Sequence, residues 1–481
     1  MSFYHGCKTL TRRFRLVLSS FLESDGLPFG DVLPEEEIER AFEEEGVPLW
    51  AADEEEDAVY TPPVTLWAFL SQMLHKAEQR SCVAAVARVV VLLAALGHKP
   101  CSGNTGAYCR ARARLPEAVI RRLTLRMARG CEEAVPSSWL WHGRHVKLVD
   151  GTTASMPDTE ANQAKYPQHS AQDEGVGFPI VRMVLLFSLA TGMLCDLAMG
   201  PYQGKETGEP ALFREMFGRL EADDIVLGDR YYCSYFIIAL LKELGVDFVV
   251  RLHQARTVDF RRGRRLGPGD HLVRWIRPAR PPWMDQGTYD RMPVSIELRE
   301  VLVHVNQPGF RAESLVVVTT LCDVEKYPAE EIAELYRGRW LAELDIRAIK
   351  VTLDMDVLRC KTPEMVCREV WAHLLAYNLI RRSILQSAHA SGCSPRALSF
   401  TAAMQAIAAS WLVAVLSNRS TFGVLVDAYL TNLAGHRVGD RPDRVEPRAV
   451  KRRPKSHRLL TKPRAEARRE LLAGPSTQIL T

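Results

Sequence analysis

The chain has 481 residues, 47% apolar and 25% charged, with a formal net charge of +4. That is ordinary for a water-soluble globular protein and enough for a large core spread over two or three domains. Its eleven cysteines include no C-x-x-C pair, which argues against zinc and redox motifs and against a small disulfide-built scaffold, and fits a reducing cytoplasm.

The total charge hides a segregation along the chain. Residues 31–57 hold thirteen acids against Arg40, residues 251–291 hold ten arginines against four aspartates, and residues 436–470 hold thirteen Arg or Lys against five acids. Trp275, Trp283 and Tyr289 lie within the middle block; arginine interleaved with aromatics suits phosphates and exposed bases. Two separate basic blocks point to a nucleic-acid partner. The acidic run reads as a solvated loop or, alternatively, as an inhibitory mimic of DNA.

From the N-terminus, Lys8, Arg12, Arg13 and Arg15 precede only the short apolar run "LVLSSFL", with no small-residue cleavage site and so no expected signal peptide. Helical periodicity then runs through "LPEEEIERAFEEEG", "TLWAFLSQMLHKAEQRS", "CVAAVARVVVLLAALGH" and "PEAVIRRLTLRMARGCEEAV". The third stretch, residues 82–98, is interrupted by Arg88 and is shorter than the roughly 20 residues that span a bilayer, so a buried helix is expected and no membrane anchor. Between the last two lies "SGNTGAYCRARARLP", a glycine-punctuated turn before Arg110, Arg112 and Arg114 that resembles the entry to a DNA-contacting helix.

From residue 140 the pattern changes to strands. "HVKLVD" and "IVRMVLLFSLATGMLCDLAMG" are aliphatic and β-branched, with Thr191-Gly192 dividing the second run into a hairpin. A helix "EPALFREMFGRL", a strand "DIVLGD", a helix "YFIIALLKELG" and a strand "DFVVRL" follow, predicting a mixed sheet with helices on both faces. Residues 253–322 are arginine- and proline-rich, then alternate through "VSIELREVLVHV" and "ESLVVVTTL", the pattern of a β-rich insertion. "YPAEEIAELYRGRWLAELDIRAIK" resumes helix, with Pro328 in its first turn. More packed helices follow, and from 436 a basic tail expected to order only against a partner.

Three carboxylates stand out. Asp150 in "VKLVDGTT" and Asp229 in "IVLGDRYY" end apolar strands, where α/β sheets place ligand-binding groups. Alone, each reads as a turn former or helix N-cap; the pair carries more. Glu343 is flanked by Arg339 and Arg347 at i−4 and i+4, the spacing of an ordinary surface ion pair. Yet at about 100° per residue Tyr336, Arg339, Glu343, Arg347 and Lys350 share one helical face, with apolar residues in the other directions. Such a stripe needs something polar to face. Asp158, Asp173, Asp196 and Asp224 read as structural or solvated.

Tyr336, Arg339, Glu343 and Lys350 reproduce the Y-(2)-R-(3)-E-(6)-K signature, and the chain from about residue 100 to 465 resembles the DDE transposases of the fourth insertion-sequence family. The resemblance implies a ribonuclease-H-like mixed-sheet α/β catalytic core with a β-rich insertion before the glutamate. It implies a triad, Asp150, Asp229 and Glu343, holding two divalent ions, Mg²⁺ or Mn²⁺, which suit hard carboxylate ligands and can activate a nucleophile and neutralise a leaving oxyanion. Tyr336, Arg339 and Lys350 would contact DNA near the cleavage point; Arg110, Arg112, Arg114 and the tail residues Lys451, Arg452 and Arg453 would add DNA contacts. Trp275 or Trp283 would receive a flipped base.

The implied organisation is a helical N-terminal domain binding DNA ends (1–138), a core (139–252 and 323–360) divided by the insertion (253–322), a helical C-terminal region (361–435) and a basic tail (436–481). The implied activity is excision and insertion at terminal inverted repeats by a homodimer formed on synapsis of double-stranded DNA, in the bacterial cytoplasm at the nucleoid and without a membrane. A metal-dependent nuclease that cuts without joining, and a catalytically silent DNA-binding derivative, are the alternatives.

Overall fold

A computed structural model describes residues 40–47, 59–95, 97, 99–304, 314–416, 419–439 and 459–473. Most of the acidic segment, and Lys451, Arg452 and Arg453, lie outside the described residues.

The helical N-terminal part comprises α1 (Pro62–Met73), α2 (Cys82–Ala95), α3 (Gly106–Arg114) and α4 (Glu117–Glu133). Residues 82–95 do form a helix, and its Arg88 is buried, donating to the Gln79 carbonyl at 2.8 Å and to Ser71 Oγ at 3.2 Å. No helix among the described residues is long and apolar enough to cross a membrane.

After α4 come β1 (Val146–Ser155), α5 (Glu160–Lys165), the hairpin β2 (Ile180–Ser188) and β3 (Leu194–Pro201), α6 (Glu209–Glu215), β4 (Ile225–Gly228), α7 (Tyr235–Glu243) and β5 (Asp247–Arg251). Strands β6 (Arg264–Gly267) and β7 (Asp270–Ile276), helix α8 (Gln286–Arg291), and strands β8 (Ser295–His304) and β9 (Ser314–Thr319) follow. All nine described strands join one sheet in the order β3-β2-β1-β4-β5-β9-β8-β7-β6. β1, β4 and β5 run parallel to one another; β2 and β3 pair antiparallel on one side, and β9 to β6 extend the other side antiparallel. The arginine-rich block therefore contributes strands to the edge of the same sheet.

The hairpin turns where Thr191-Gly192 predicts it. Gly192 has φ +74°, and a Cβ there would meet Arg381 Nε at 2.9 Å, so glycine is required on both counts. Successive residues of the central strands serve opposite cores, as strand alternation requires. Leu148, Leu185, Phe187, Leu227 and Val249 join the N-terminal helices and the C-terminal helical layer, whereas Val149, Val184, Leu186, Val226 and Val250 pack against α6 and α7.

The C-terminal part runs α9 (Ala329–Arg337), α10 (Trp340–Arg347), a π-helical turn (Ala348–Thr352), the 28-residue α11 (Pro363–Ala390), α12 (Phe400–Leu416), α13 (Arg419–Ala434) and α14 (Arg464–Ala473). α11 packs against α1, α4, α12 and α13. Its Asn378 is fully buried and ties three elements together: Oδ1 accepts from the Leu194 N–H at 2.9 Å, and Nδ2 donates to the carbonyls of Leu194 at 3.0 Å and Thr124 at 3.1 Å. Polar atoms at such depth are tolerated only with partners, and here each has one.

The stretch 336–350, read from its periodicity as one straight helix, is interrupted twice. α9 stops at Arg337 and α10 begins at Trp340; after Arg347 the chain enters the π turn. Each break rotates the residues beyond it relative to a regular α-helix.

Candidate active site

β1 and β4 lie side by side, and their parallel pairing ends at Leu148 opposite Leu227. Asp150 follows two residues later on β1, and Asp229 directly follows Gly228, the last residue of β4. The sequence predicts that Asp150 ends its strand; it does not. β1 continues to Ser155 because β2 pairs with it all the way, with Asp150 opposite Leu185. Both aspartates nonetheless stand where parallel pairing stops, a position at which sheet backbone gives way to open space.

Asp229 caps the short helical turn Arg230–Tyr232, its Oδ1 accepting the Tyr231 N–H at 2.7 Å. Asp150 Oδ1 accepts the Gly151 N–H at 2.9 Å. The third carboxylate, Glu343, sits on α10, which packs against β1. Arg339 joins the two sides: its Nη2 donates to Glu343 Oε1 at 2.8 Å, and its Nη1 lies 3.9 Å from Asp150 Oδ2. Burial raises the Asp150 carboxyl to about 6; Arg339 and the Gly151 N–H pull it down, and Asp229 and Glu343 push it further up. At Asp150, burial and the two neighbouring carboxylates together outweigh the nearby arginine.

Tyr336 is buried beside Arg339, whose guanidinium donates to its phenol oxygen, and burial pushes that phenol up to about 12. This tyrosine presents little surface of its own. Lys350 departs from the predicted shared face: in the π turn its Nζ pairs with Asp356 Oδ1 at 2.8 Å.

Several other predicted DNA contacts need correction. Arg110 and Arg114 of α3 are exposed, but Arg112, about 200° around the helix from Arg110, turns inward. Its guanidinium lies over the rings of Phe69 and Tyr108 and donates to Gln72 Oε1 at 3.2 Å. Trp275 is 6% exposed, donates its indole N–H to Glu300 Oε1 at 3.2 Å and is covered by Arg256 at 3.6 Å, so its faces are already occupied. Trp283 is half-buried, with Arg214 3.7 Å from its ring centre.

Residues that the sequence did not single out also surround the site. Glu209, the first residue of α6, rests its carboxylate against Gly151; a Cβ at Gly151 would fall 2.2 Å from Glu209 Cδ. Burial, then Asp229, raises its pKa. Its only sequence signal is an acid in a helix's first turn, which is common for dipole reasons alone. Asp345 is wholly buried in α10, bonded to Arg381 and to Arg396 at 2.8 Å, and so fastens α10 to the C-terminal layer. Trp340 and Tyr231 are each about half exposed next to Arg339 and Asp229 in sequence. The aspartates read as structural behave so: Asp196 pairs with Arg219 at 3.3 Å, and Asp224 Oδ2 accepts the Glu221 N–H at 3.0 Å.

Comparison with known proteins places the chain in a family. The Transposase DDE domain family matches residues 141–379, the span that holds all three carboxylates. The chain belongs to the DDE transposase family. The InsG transposase of insertion sequence element IS4 from Escherichia coli K12 is 26% identical over 404 residues, covering 81% of this chain and 85% of that protein. The transposase of insertion sequence element IS421 from Escherichia coli is 40% identical over 76 residues, covering 16% of this chain and 20% of that one. Among solved structures, a piggyBac transposase synaptic complex with hairpin DNA aligns with a TM-score of 0.41 and 10% identity over 89% of this chain and 87% of that one. As a DDE transposase the chain acts on DNA, and the family generally uses divalent metal ions.

The carboxylates fit such ions in chemistry. They are hard oxygen donors, and Asp150 is held in an environment that disfavours its charge. Among the described residues no three His, Cys, Asp or Glu side chains converge into a ready-made metal shell; Glu343 is turned toward Arg339, and releasing that 2.8 Å contact is what would free it as a ligand.

Proposed function

We propose that this DDE transposase cuts and joins DNA at the terminal inverted repeats of an insertion sequence, with Asp150, Asp229 and Glu343 as its metal-binding triad. The observation that carries the reading is two aspartates standing where the parallel pairing of β1 and β4 stops, with a glutamate on a helix packed against β1 and Arg339 between Glu343 and Asp150. The strand order β3-β2-β1-β4-β5 supports a ribonuclease-H-like core, into which 253–322 would be the insertion. The helical region 1–138 would recognise the DNA end.

Two Mg²⁺ or Mn²⁺ ions bound by the three carboxylates would supply the activated nucleophile and the neutralised leaving oxygen. The remaining residues bind and orient. Arg339, released from Glu343, can turn its fork to a phosphate, for which its planar pair of donors is suited. Tyr336 holds Arg339 in place. Lys350 can exchange the largely exposed Asp356 for a DNA phosphate, because an exposed ion pair contributes at most about 1 kcal/mol. Arg110 and Arg114 face outward where the end of the element would lie, and Lys451, Arg452 and Arg453 in the tail would add phosphate contacts. Synapsis of two ends calls for a homodimer, working on the nucleoid in the bacterial cytoplasm.

The test uses end-bearing duplex DNA and a target plasmid. Asp150→Ala, Asp229→Ala and Glu343→Ala should each abolish metal-dependent nicking while retaining DNA binding; full cleavage by any one of them refutes the triad. Joining of the 3′-hydroxyl end to the target separates transposition from hydrolysis without joining, and no cleavage by the wild type under any divalent metal would favour the silent DNA-binding reading.

A further inference from the structure

The acidic segment has no place in this chemistry, but its described end touches a second basic surface. α4 buries Ile120, Leu123, Met127 and Cys131 against the core. On its outer side Arg122, Arg126 and Arg129 recur at i, i+4 and i+7, within about 60° of one another and over roughly 10 Å of helix axis. They border a cavity of about 640 Å³ whose other charged lining is mixed, Arg121, Arg219 and Lys147 facing Glu132, Glu221 and Asp224.

Glu44 and Glu45 cover part of it. Arg122 engages Glu44 with one terminal nitrogen and Glu45 with the other, and Arg126 Nη2 lies 2.9 Å from Glu44 Oε2. The glutamates are held there by their neighbours, since Ala41 and Phe42 are wholly buried in the core. Among the described residues Arg129 pairs with Glu133 of its own helix, at 2.9 Å, and both are mostly exposed. A pair of carboxylates gripped by the arms of one guanidinium occupies the donors that would otherwise grip a phosphate. Exposed pairs of this kind contribute little to stability; their larger effect is on the field that an approaching polyanion meets.

We propose that Arg122, Arg126 and Arg129 form a docking face for the phosphate backbone of duplex DNA, and that Glu44 and Glu45 of the acidic segment occupy this face in competition with it. The contact restrains non-specific binding, and DNA must displace the glutamates to gain the two masked arginines. The proposal takes DNA as the partner from the transposase reading but does not depend on the triad.

The experiment is equilibrium binding of a short mixed-sequence duplex to the full chain across a series of salt concentrations. Glu44→Gln/Glu45→Gln should bind more tightly, by about 5- to 10-fold per freed arginine near 0.1 M salt, and steepen the slope of log K against log salt by about 1.8, since each new phosphate contact adds about 0.9. Adding Arg122→Ala and Arg126→Ala to that variant should cancel both changes. An unchanged affinity and slope in a variant that melts as the wild type does, or a tightening that survives loss of the arginines, overturns the proposal. Should the double variant lose its cooperative melt, Glu44→Gln and Glu45→Gln singly carry the test, each with about half the slope change. Cleavage of end-bearing DNA by the wild type checks the transposase reading separately.

Discussion

Replacing Asp150 with asparagine is expected to stabilise the metal-free protein while removing its chemistry. The Asp150 side chain is 17% exposed, and burial raises its carboxyl from the ordinary 3.8 to about 6. At about 1.4 kcal/mol for each tenfold change, holding that carboxylate ionised costs the fold on the order of 3 kcal/mol. The folded state keeps its proton to higher pH than the unfolded chain, so it binds more protons between about pH 4 and 6, and stability falls as pH rises through that window and stays low above it. Asparagine carries no charge at any pH and can still accept the Gly151 N–H. At about pH 7.5 in chelator, Asp150→Asn should therefore melt higher by roughly 6–12 °C, taking about 2–4 °C per kcal/mol for a unit of 150–250 residues, with the gap closing near pH 4. Added Mg²⁺ or Mn²⁺ should raise the wild-type midpoint by mass action and leave the variant's unchanged. Scanning calorimetry at the two pH values decides it. A variant that melts at or below the wild type at the higher pH would mean that Arg339 already offsets the charge, and the reasoning fails.

Other substitutions probe the supports of the site. Asn378→Ala removes three buried hydrogen bonds to the backbone of β3 and α4, at about 0.5–1.5 kcal/mol each, and should lower the melting midpoint without altering metal dependence among the molecules that remain folded. Glu209→Gln keeps the shape but removes a carboxylate beside Asp229; single-turnover cleavage should slow about tenfold or more, roughly 1.4 kcal/mol in the barrier, with DNA affinity unchanged, and an unaltered rate would dismiss Glu209 from the site. Trp275→Ala should cost about 3–5 kcal/mol as a core truncation, seen in denaturation. Trp340→Ala should leave stability within about 0.5 kcal/mol but weaken binding of a frayed DNA end, because an exposed aromatic can stack on an unpaired base for about 1–3 kcal/mol; equal affinity would rule that role out.

What could be read from the sequence, and what could not, follows from the range of the interactions involved. Asp229 was legible because a short apolar strand ending in an acid and a polar turn is a local pattern, and Gly192 because a turn with positive φ leaves almost no choice of residue. Asp150 was found for a partly wrong reason: its strand runs on, sustained by a partner strand about thirty-five residues away whose register no local pattern reveals. The shared helical face held only as far as regular helix does. Arg339 and Glu343 stay together at 2.8 Å across the start of α10, whereas Lys350 lies within the π turn and finds Asp356. Trp275 and Arg112 turn inward, which composition cannot show because it counts aromatics and arginines without saying which way each side chain turns. Asp345 stood unremarked in the very stretch whose stripe of charges drew notice, yet it is the acid with no exposure at all, paid for by two arginines from α11 and the turn that follows it. An acid so placed is costly unless fully paired. Its partners lie roughly forty to fifty residues on in sequence, so only the folded chain could distinguish the carboxylate that anchors the helix from Glu343, which stays partly exposed and held by a single arginine at the site.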